Sequence, residues 1–121
     1  MSAKFTRVIL GSKSPRRREL LRYIIPKFEV IDPEADEVYP PGMEGEEIAI
    51  HLAGIKAHRL KKYVNSETLV ITADTIVWLN EHILGKPRNE TDAIRMLKTL
   101  SGKKHKVFTG VCLMTARKTI S

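Results

Sequence analysis

Arg7 to Ile24, RVILGSKSPRRRELLRYI, reads as a strand, a short polar loop and a helix. The apolar run Arg7 to Leu10 predicts a buried strand. It runs into Gly11-Ser12-Lys13-Ser14, where Gly and Ser interrupt the pattern. Pro15 then opens a helix over residues 15–24, because Ser14 suits the N-cap and proline suits the first helical position. A strand feeding a helix through a Gly/Ser loop is the opening unit of an α/β fold, and the loop stands where unpaired helix N–H groups can donate to phosphate oxygens. The spacing is not that of a Walker A loop, since Gly-x4-Gly-Lys-Ser/Thr is absent.

The remaining chain extends the α/β pattern. Residues 28–31 (FEVI) predict a second strand. Residues 32–45 hold three prolines, two glycines and five acidic residues, which predicts a loop. A long amphipathic helix follows over residues 46–63, with Ala49, Leu52, Ala53 and Leu60 on one face. Residues 69–79 and His82–Leu84 flank Asn80-Glu81 and predict a hairpin. Asn89 or Thr91 caps a further helix carrying Ala93, Met96, Leu97 and Leu100, with Gly102 as its stop signal. Lys106–Met114 is the last predicted strand. The order β-α-β-α-β-β-α-β predicts an α/β chain of one domain, residues 1–121. A strong strand just before Ser121, with nothing after it to pair with, gives the expectation of a fold cut short at the C-terminus.

Composition narrows the function. At 121 residues, 42% apolar and 29% charged, the chain matches an ordinary globular domain. No apolar run is long enough to span a bilayer, and the first seven residues lack a signal-peptide core. Cys112 is the only cysteine, so no intrachain disulfide forms, and the expected location is a reducing cytoplasm. The net charge of +7 favours an anionic partner. Only seven aromatics are present and none interleaves the arginine cluster, so a phosphorylated small molecule is favoured over nucleic acid.

Several residues stand out. At about 100° per residue, Arg17 shares a helix face with Leu20, Leu21 and Ile24, at the edge of the expected core, with its guanidinium reaching over the helix N-terminus. Arg16 lies beside it, while Arg18 and Arg22 turn to solvent. Ser12 and Ser14 add hydroxyls. Cations in a first turn oppose the helix dipole, which favours placement for phosphate over a merely solvated face. Asp74 interrupts the apolar run LVITADTIVWL. A desolvated carboxylate there needs a cation, a metal or several donors; the alternative is an Asp at a bulge held by backbone N–H groups. Lys56 lies on the apolar stripe of the long helix, where a lysine often snorkels to the rim. Lys56→Met is accordingly expected to leave the fold intact or slightly more stable, and Asp74→Asn to hold or raise stability. Lys86 sits in a Leu-Gly-Lys-Pro loop. Glu34, Asp36 and Glu37 cluster in the acidic loop, where they would suit Mg²⁺ or Mn²⁺ or simply face water. The four histidines show no ligand spacing and are assigned to the surface, and Cys112 to the core.

These residues line up with a known family. Ser12-Lys13-Ser14-Pro15-Arg16-Arg17 with Glu19-Leu20-Leu21 resembles the Maf signature. Asp36-Glu37, Leu52-Ala53 with Lys56-Ala57, Ala73-Asp74-Thr75 and Leu84-Gly85-Lys86-Pro87 follow in the family's order, and Leu100-Ser101-Gly102, His105 and Thr109-Gly110-Val111 carry the likeness to the end. The resemblance implies a long, twisted mixed β-sheet flanked by helices, similar to inosine-triphosphatase-like enzymes, with a cleft between two lobes. It implies a nucleotide pyrophosphatase cleaving between the α- and β-phosphates with a divalent metal, Mg²⁺ or Mn²⁺. Ser12, Ser14, Arg16, Arg17, Lys56 and Lys86 would then hold substrate, and Glu37 and Asp74 would hold metal and activate water. Ser-Pro-Arg-Arg with Ala-Asp-Thr resembles the branch acting on dTTP, UTP and modified uridine triphosphates, which implies house-cleaning of non-standard nucleotides; the family name is associated with septum formation. Family members continue past the position of Ser121 with further strands and a glutamine-bearing substrate segment. The resemblance leaves room for a homodimer, and for a non-catalytic nucleotide-binding or cell-division regulatory module as the alternative to an enzyme.

Overall fold

The computed structural model describes residues 5–35, 38–79, 82–84, 89–100 and 106–121. Strand β1 (Arg7–Gly11) leads into helix α1 (Pro15–Arg22), then into the short strand β2 (Glu29–Val30). Helix α2 (Gly45–Arg59) is followed by a 3₁₀ turn, Lys61–Tyr63, and by the long strand β3 (Thr68–Leu79). Strand β4 (His82–Leu84), helix α3 (Glu90–Leu100), strand β5 (Lys106–Met114) and strand β6 (Thr119–Ile120) complete the order.

The sheet runs β2-β1-β3-β5-β6, with β4 also paired to β3. Pairs β1–β2 and β1–β3 are parallel, while β3–β4, β3–β5 and β5–β6 are antiparallel. The sheet is therefore mixed and organised on β3, as expected for the α/β class. Several details differ from the sequence reading: the first helix ends at Arg22 rather than at residue 24, and the second strand is Glu29–Val30 rather than 28–31. The second helix ends at Arg59, and residues 61–63 tighten into a 3₁₀ turn, a common finish to an α-helix. Strand β6 was not expected; two residues carry too little periodicity to announce a strand.

Alternation along the strands sends Ile9, Val70, Cys112 and Met114 to one face, where Ala53 and Ala57 of α2 and Leu60 just after it meet them in a buried cluster. Ile48, Ala49, Leu52 and Ile76 form a second cluster farther along the same helix. The helix lies close because its contact residues are small. A Cβ on Gly110 of β5 would collide with the backbone of Ala49 and Ile50. Buried Thr72 donates its hydroxyl to the Ala53 carbonyl at 2.7 Å, a second tie between helix and sheet. This close seating sets the height of Lys56 above β3.

The opposite face is thinly covered. Helix α1 buries none of its residues, and Leu20 and Ile24 are 52% and 79% exposed. The expectation that their face meets the core is corrected: it borders an open apolar groove, about 510 Å³, over Leu10, Ile71 and Val111. No helix among the described residues is long and apolar enough to cross a membrane.

Candidate active site

Strand β1 stops pairing with β3 at Gly11 opposite Thr72, and β4 pairs with β3 only from Val77, opposite Leu84. Between them the β3 edge at residues 73–76 has no strand partner among the described residues. Buried backbone polar groups must still be satisfied, and here side chains do it. The Ala73 carbonyl accepts from Arg17 Nη1 at 3.2 Å and from Lys56 Nζ at 3.4 Å. The Thr75 N–H donates to Asp74 Oδ1 at 3.1 Å. One cation arrives from α1 and the other from α2, so the gap in the sheet draws both helices' charges to one point.

Asp74 faces α2 and is 3% exposed. Its Oδ1 also accepts from Lys56 Nζ at 3.2 Å, forming a largely buried ion pair. Both readings of Asp74 are thus partly realised: a cation and a backbone N–H share one oxygen. Oδ2 is buried and has no hydrogen-bond partner among the described residues. Lys56 does not simply snorkel, since its ammonium is aimed at the carboxylate and at Ala73.

The loop after β1 is built by its serines. The Ser14 hydroxyl caps α1, accepting the Arg17 N–H at 3.3 Å as expected for the N-cap. Ser12, almost fully buried, accepts from the Ser14 N–H at 3.1 Å and from Arg17 Nη1 at 3.4 Å. With both lone pairs taken, its hydroxyl proton is the group left to donate. Arg17 also donates through Nη2 to Thr75 Oγ1 at 2.7 Å. Its guanidinium therefore keeps the Nε–H and one Nη2–H for a ligand.

Gly11, Ser12, Ser14, Arg17 and Lys56 line one pocket of about 340 Å³ together with Lys13 and the first part of the acidic loop, Asp32 to Ala35. Lys13 pairs with Asp32 at 3.2 Å. The Glu34 N–H bonded to Asp32, and secondarily Lys13, hold the Asp32 carboxyl below its usual range. Arg59 fastens the same loop through the Pro33 and Glu34 carbonyls. Of the sequence candidates, Ser12, Ser14, Arg17 and Lys56 meet at this pocket. Arg16 is exposed and borders the apolar groove instead. Asp74 does not line the pocket but stands behind Lys56. Glu37, Asp36, Lys86 and His105 lie outside the described residues. His58 is exposed and His51 half-buried. The sequence reading gave Thr75 and Thr109 only as members of family motifs and assigned them no role; their hydroxyls meet at 2.9 Å on directly opposed positions of β3 and β5, and a threonine in a strand is too ordinary to suggest one.

Among the described residues no group of three or more His, Cys, Asp or Glu stands ready for a metal. A hard divalent cation of the Mg²⁺ kind is commonly held by one or two carboxylates with phosphate oxygens and water. Asp74, with one buried oxygen unpartnered, fits that donor set.

The chain is similar to known proteins in sequence and in fold. A protein from Phocaeicola vulgatus named dTTP/UTP pyrophosphatase is 49% identical over 110 residues, covering 90% of this chain and 57% of that protein. Another of that name from Porphyromonas gingivalis is 46% identical over 110 residues, 88% of this chain and 55% of its own length. The chain thus spans a little over half the length of these relatives. The solved structure of the Staphylococcus aureus Ham1 protein superposes with a TM-score of 0.60 at 18% identity, over 95% of this chain and 67% of that one. A Mycobacterium abscessus nucleoside-triphosphatase / dITP/XTP pyrophosphatase gives 0.52 at 13%, over 95% and 69%. At those identities the two structures speak for the fold alone, an α/β fold of the Ham1 kind. The model of the Maf-like protein family matches residues 7–121, every residue lining the pocket included, and the chain belongs to the Maf family.

Proposed function

We propose that this chain is one domain, residues 1–121, carrying the triphosphate-binding part of a nucleoside triphosphate pyrophosphatase that releases a monophosphate and pyrophosphate. The observation that carries the reading is the meeting of Arg17 and Lys56 at the Ala73 carbonyl, above buried Asp74 and beside Ser12. Two cations and a hydroxyl donor at one pocket suit a polyanion, and phosphoryl chemistry is served by positioning and charge rather than by a protein nucleophile. Ser12 would donate to a phosphate oxygen, Arg17 would grip with its remaining N–H groups, and Lys56 would neutralise charge from the α2 side. Arg16, from the neighbouring groove, and Lys86 would add positive charge for the substrate. Asp74 would orient the Lys56 ammonium and, with Glu37, hold a divalent cation. When bound, Mg²⁺ or Mn²⁺ supplies neutralisation of the phosphate oxygens and a lowered pKa for attacking water.

The names of the relatives support dTTP and UTP as substrates, and with them a house-cleaning role. The test is product analysis. Incubated with UTP or dTTP and Mg²⁺ or Mn²⁺, the chain is expected to yield monophosphate and pyrophosphate, resolved by ³¹P NMR. Diphosphate and orthophosphate as first products would contradict cleavage between the α- and β-phosphates. Saturable binding without turnover would instead support the non-catalytic, regulatory reading.

A further inference from the structure

We infer that Thr75 and Thr109 are positioning residues for Arg17: a cross-strand hydroxyl bracket that sets the arginine's guanidinium at the phosphate pocket. The inference rests on the phosphate reading of that pocket and adds residues to it. Arg17 borders both the polar pocket and the apolar groove, and its head group is hydrogen-bonded across to β3. A long, flexible side chain gains phosphate selectivity only when its planar fork is fixed beforehand. Ser12 and Ala73 fix Nη1 at 3.4 and 3.2 Å. Those two alone leave the plane free to swing about that nitrogen. The 2.7 Å bond from Nη2 to Thr75 Oγ1 is the third point that defines the plane, and it is the shortest of the three.

Thr75 can serve as that point because its hydroxyl is itself held. Thr75 and Thr109 face each other in the β3–β5 register, and their oxygens stand 2.9 Å apart. Such cross-strand threonine pairs stabilise one another on a sheet face. Threonine branches at Cβ, so its side-chain torsion is already restricted, and the partner hydroxyl selects among the remaining rotamers. Whichever hydroxyl donates, Thr75 keeps a lone pair for Arg17. The bracket also explains why two polar residues stand in strands whose same-face neighbours are Ala73 and Val111.

The experiment uses this chain with Thr75→Val, Thr75→Ser and Thr109→Val, and inorganic tripolyphosphate as the probe. Titration calorimetry gives affinity, and ¹⁵N NMR of the Arg17 guanidinium without ligand gives its hindered rotation. Thr75→Val is expected to speed that rotation and weaken tripolyphosphate binding by about 5- to 20-fold, the scale of one charge-assisted hydrogen bond acting indirectly. Its melting temperature should fall by no more than about 4 °C, since the residue is exposed and a cross-strand pair stabilises only weakly. Thr75→Ser should restore both readouts to within about twofold, because the oxygen is kept. Thr109→Val should fall between. Unchanged Arg17 signals in Thr75→Val would overturn the bracket, as would faster rotation with unchanged affinity, or a Ser variant that fails to rescue. No uptake of tripolyphosphate by the unsubstituted chain would instead overturn the phosphate reading itself, and with it the purpose assigned to the bracket.

Discussion

Removing either member of the Lys56–Asp74 pair should destabilise the fold, and removing both should cost less than the sum. The side chains are 14% and 5% exposed, with Nζ and Oδ1 3.2 Å apart. At an effective dielectric near 20, that separation corresponds to about 5 kcal/mol of attraction before desolvation is counted. Among the described residues, Lys56→Met leaves a buried carboxylate with one oxygen unpartnered and the other held by the Thr75 N–H alone. Orphaning a fully buried charge costs about 3–5 kcal/mol; because the Lys56 ammonium opens toward the pocket, about 2–3 kcal/mol is expected. For a chain of 121 residues each kcal/mol corresponds to roughly 4 °C, so the melting temperature should fall by about 8–12 °C. Asp74→Asn keeps an acceptor for the backbone and leaves Lys56 with the Ala73 carbonyl and a route to solvent, so about 1–2 kcal/mol is expected. The double variant should recover about 1–2 kcal/mol relative to additivity. This reverses the expectation from sequence, where Lys56 had no visible partner and its loss looked harmless. The assay is thermal and urea unfolding of the four proteins by circular dichroism. Additivity within about 0.5 kcal/mol, or a Lys56→Met protein as stable as its parent, would refute the buried pair.

Other substitutions test the frame around the site. Gly110→Ala places a methyl against the α2 backbone at Ala49, which cannot move aside as a side chain would; about 2–3 kcal/mol of lost stability is expected in urea unfolding. Ser14→Ala removes the cap accepting the Arg17 N–H and should cost about 1 kcal/mol, read as faster amide exchange confined to α1. Asp32 has its folded pKa depressed, first by the Glu34 N–H and then by Lys13. Its contribution to loop order is therefore complete above the unfolded value and lost as pH falls through the folded one. An NMR titration should place its midpoint below that of an ordinary aspartate, and Lys13→Met should move it part of the way back.

Much of the frame was legible from residues because it depends on local chemistry. Ser14 and Pro15 announced the start of α1 through capping and a fixed φ, and the helical period of residues 46–60 exposed the face that packs on the sheet. The site was legible as a set of unusual residues, such as a carboxylate within an apolar strand and a lysine on an apolar stripe. Their pairing was not, since Lys56 and Asp74 meet only through the height at which α2 sits on the sheet, which Gly110 and the alanines of α2 control. The exposed side of α1 misled for a related reason. Helical period shows that Leu20, Leu21 and Ile24 share a face, but not what covers it. The sheet gap at residues 73–76 was likewise invisible, because it depends on where β1 stops and β4 starts along β3.

The central claim is that this pocket holds a triphosphate through Ser12, Arg17 and Lys56. Its most direct test is titration of α,β-methylene-UTP, which resists the proposed cleavage, into ¹⁵N-labelled chain with Mg²⁺. The account predicts saturable shifts at Gly11, Ser12, Ser14 and residues 73–75 and at the Arg17 side chain, weakened at least about tenfold in Lys56→Met. Shifts confined to other surfaces, or binding indifferent to Lys56 and Arg17, would contradict it.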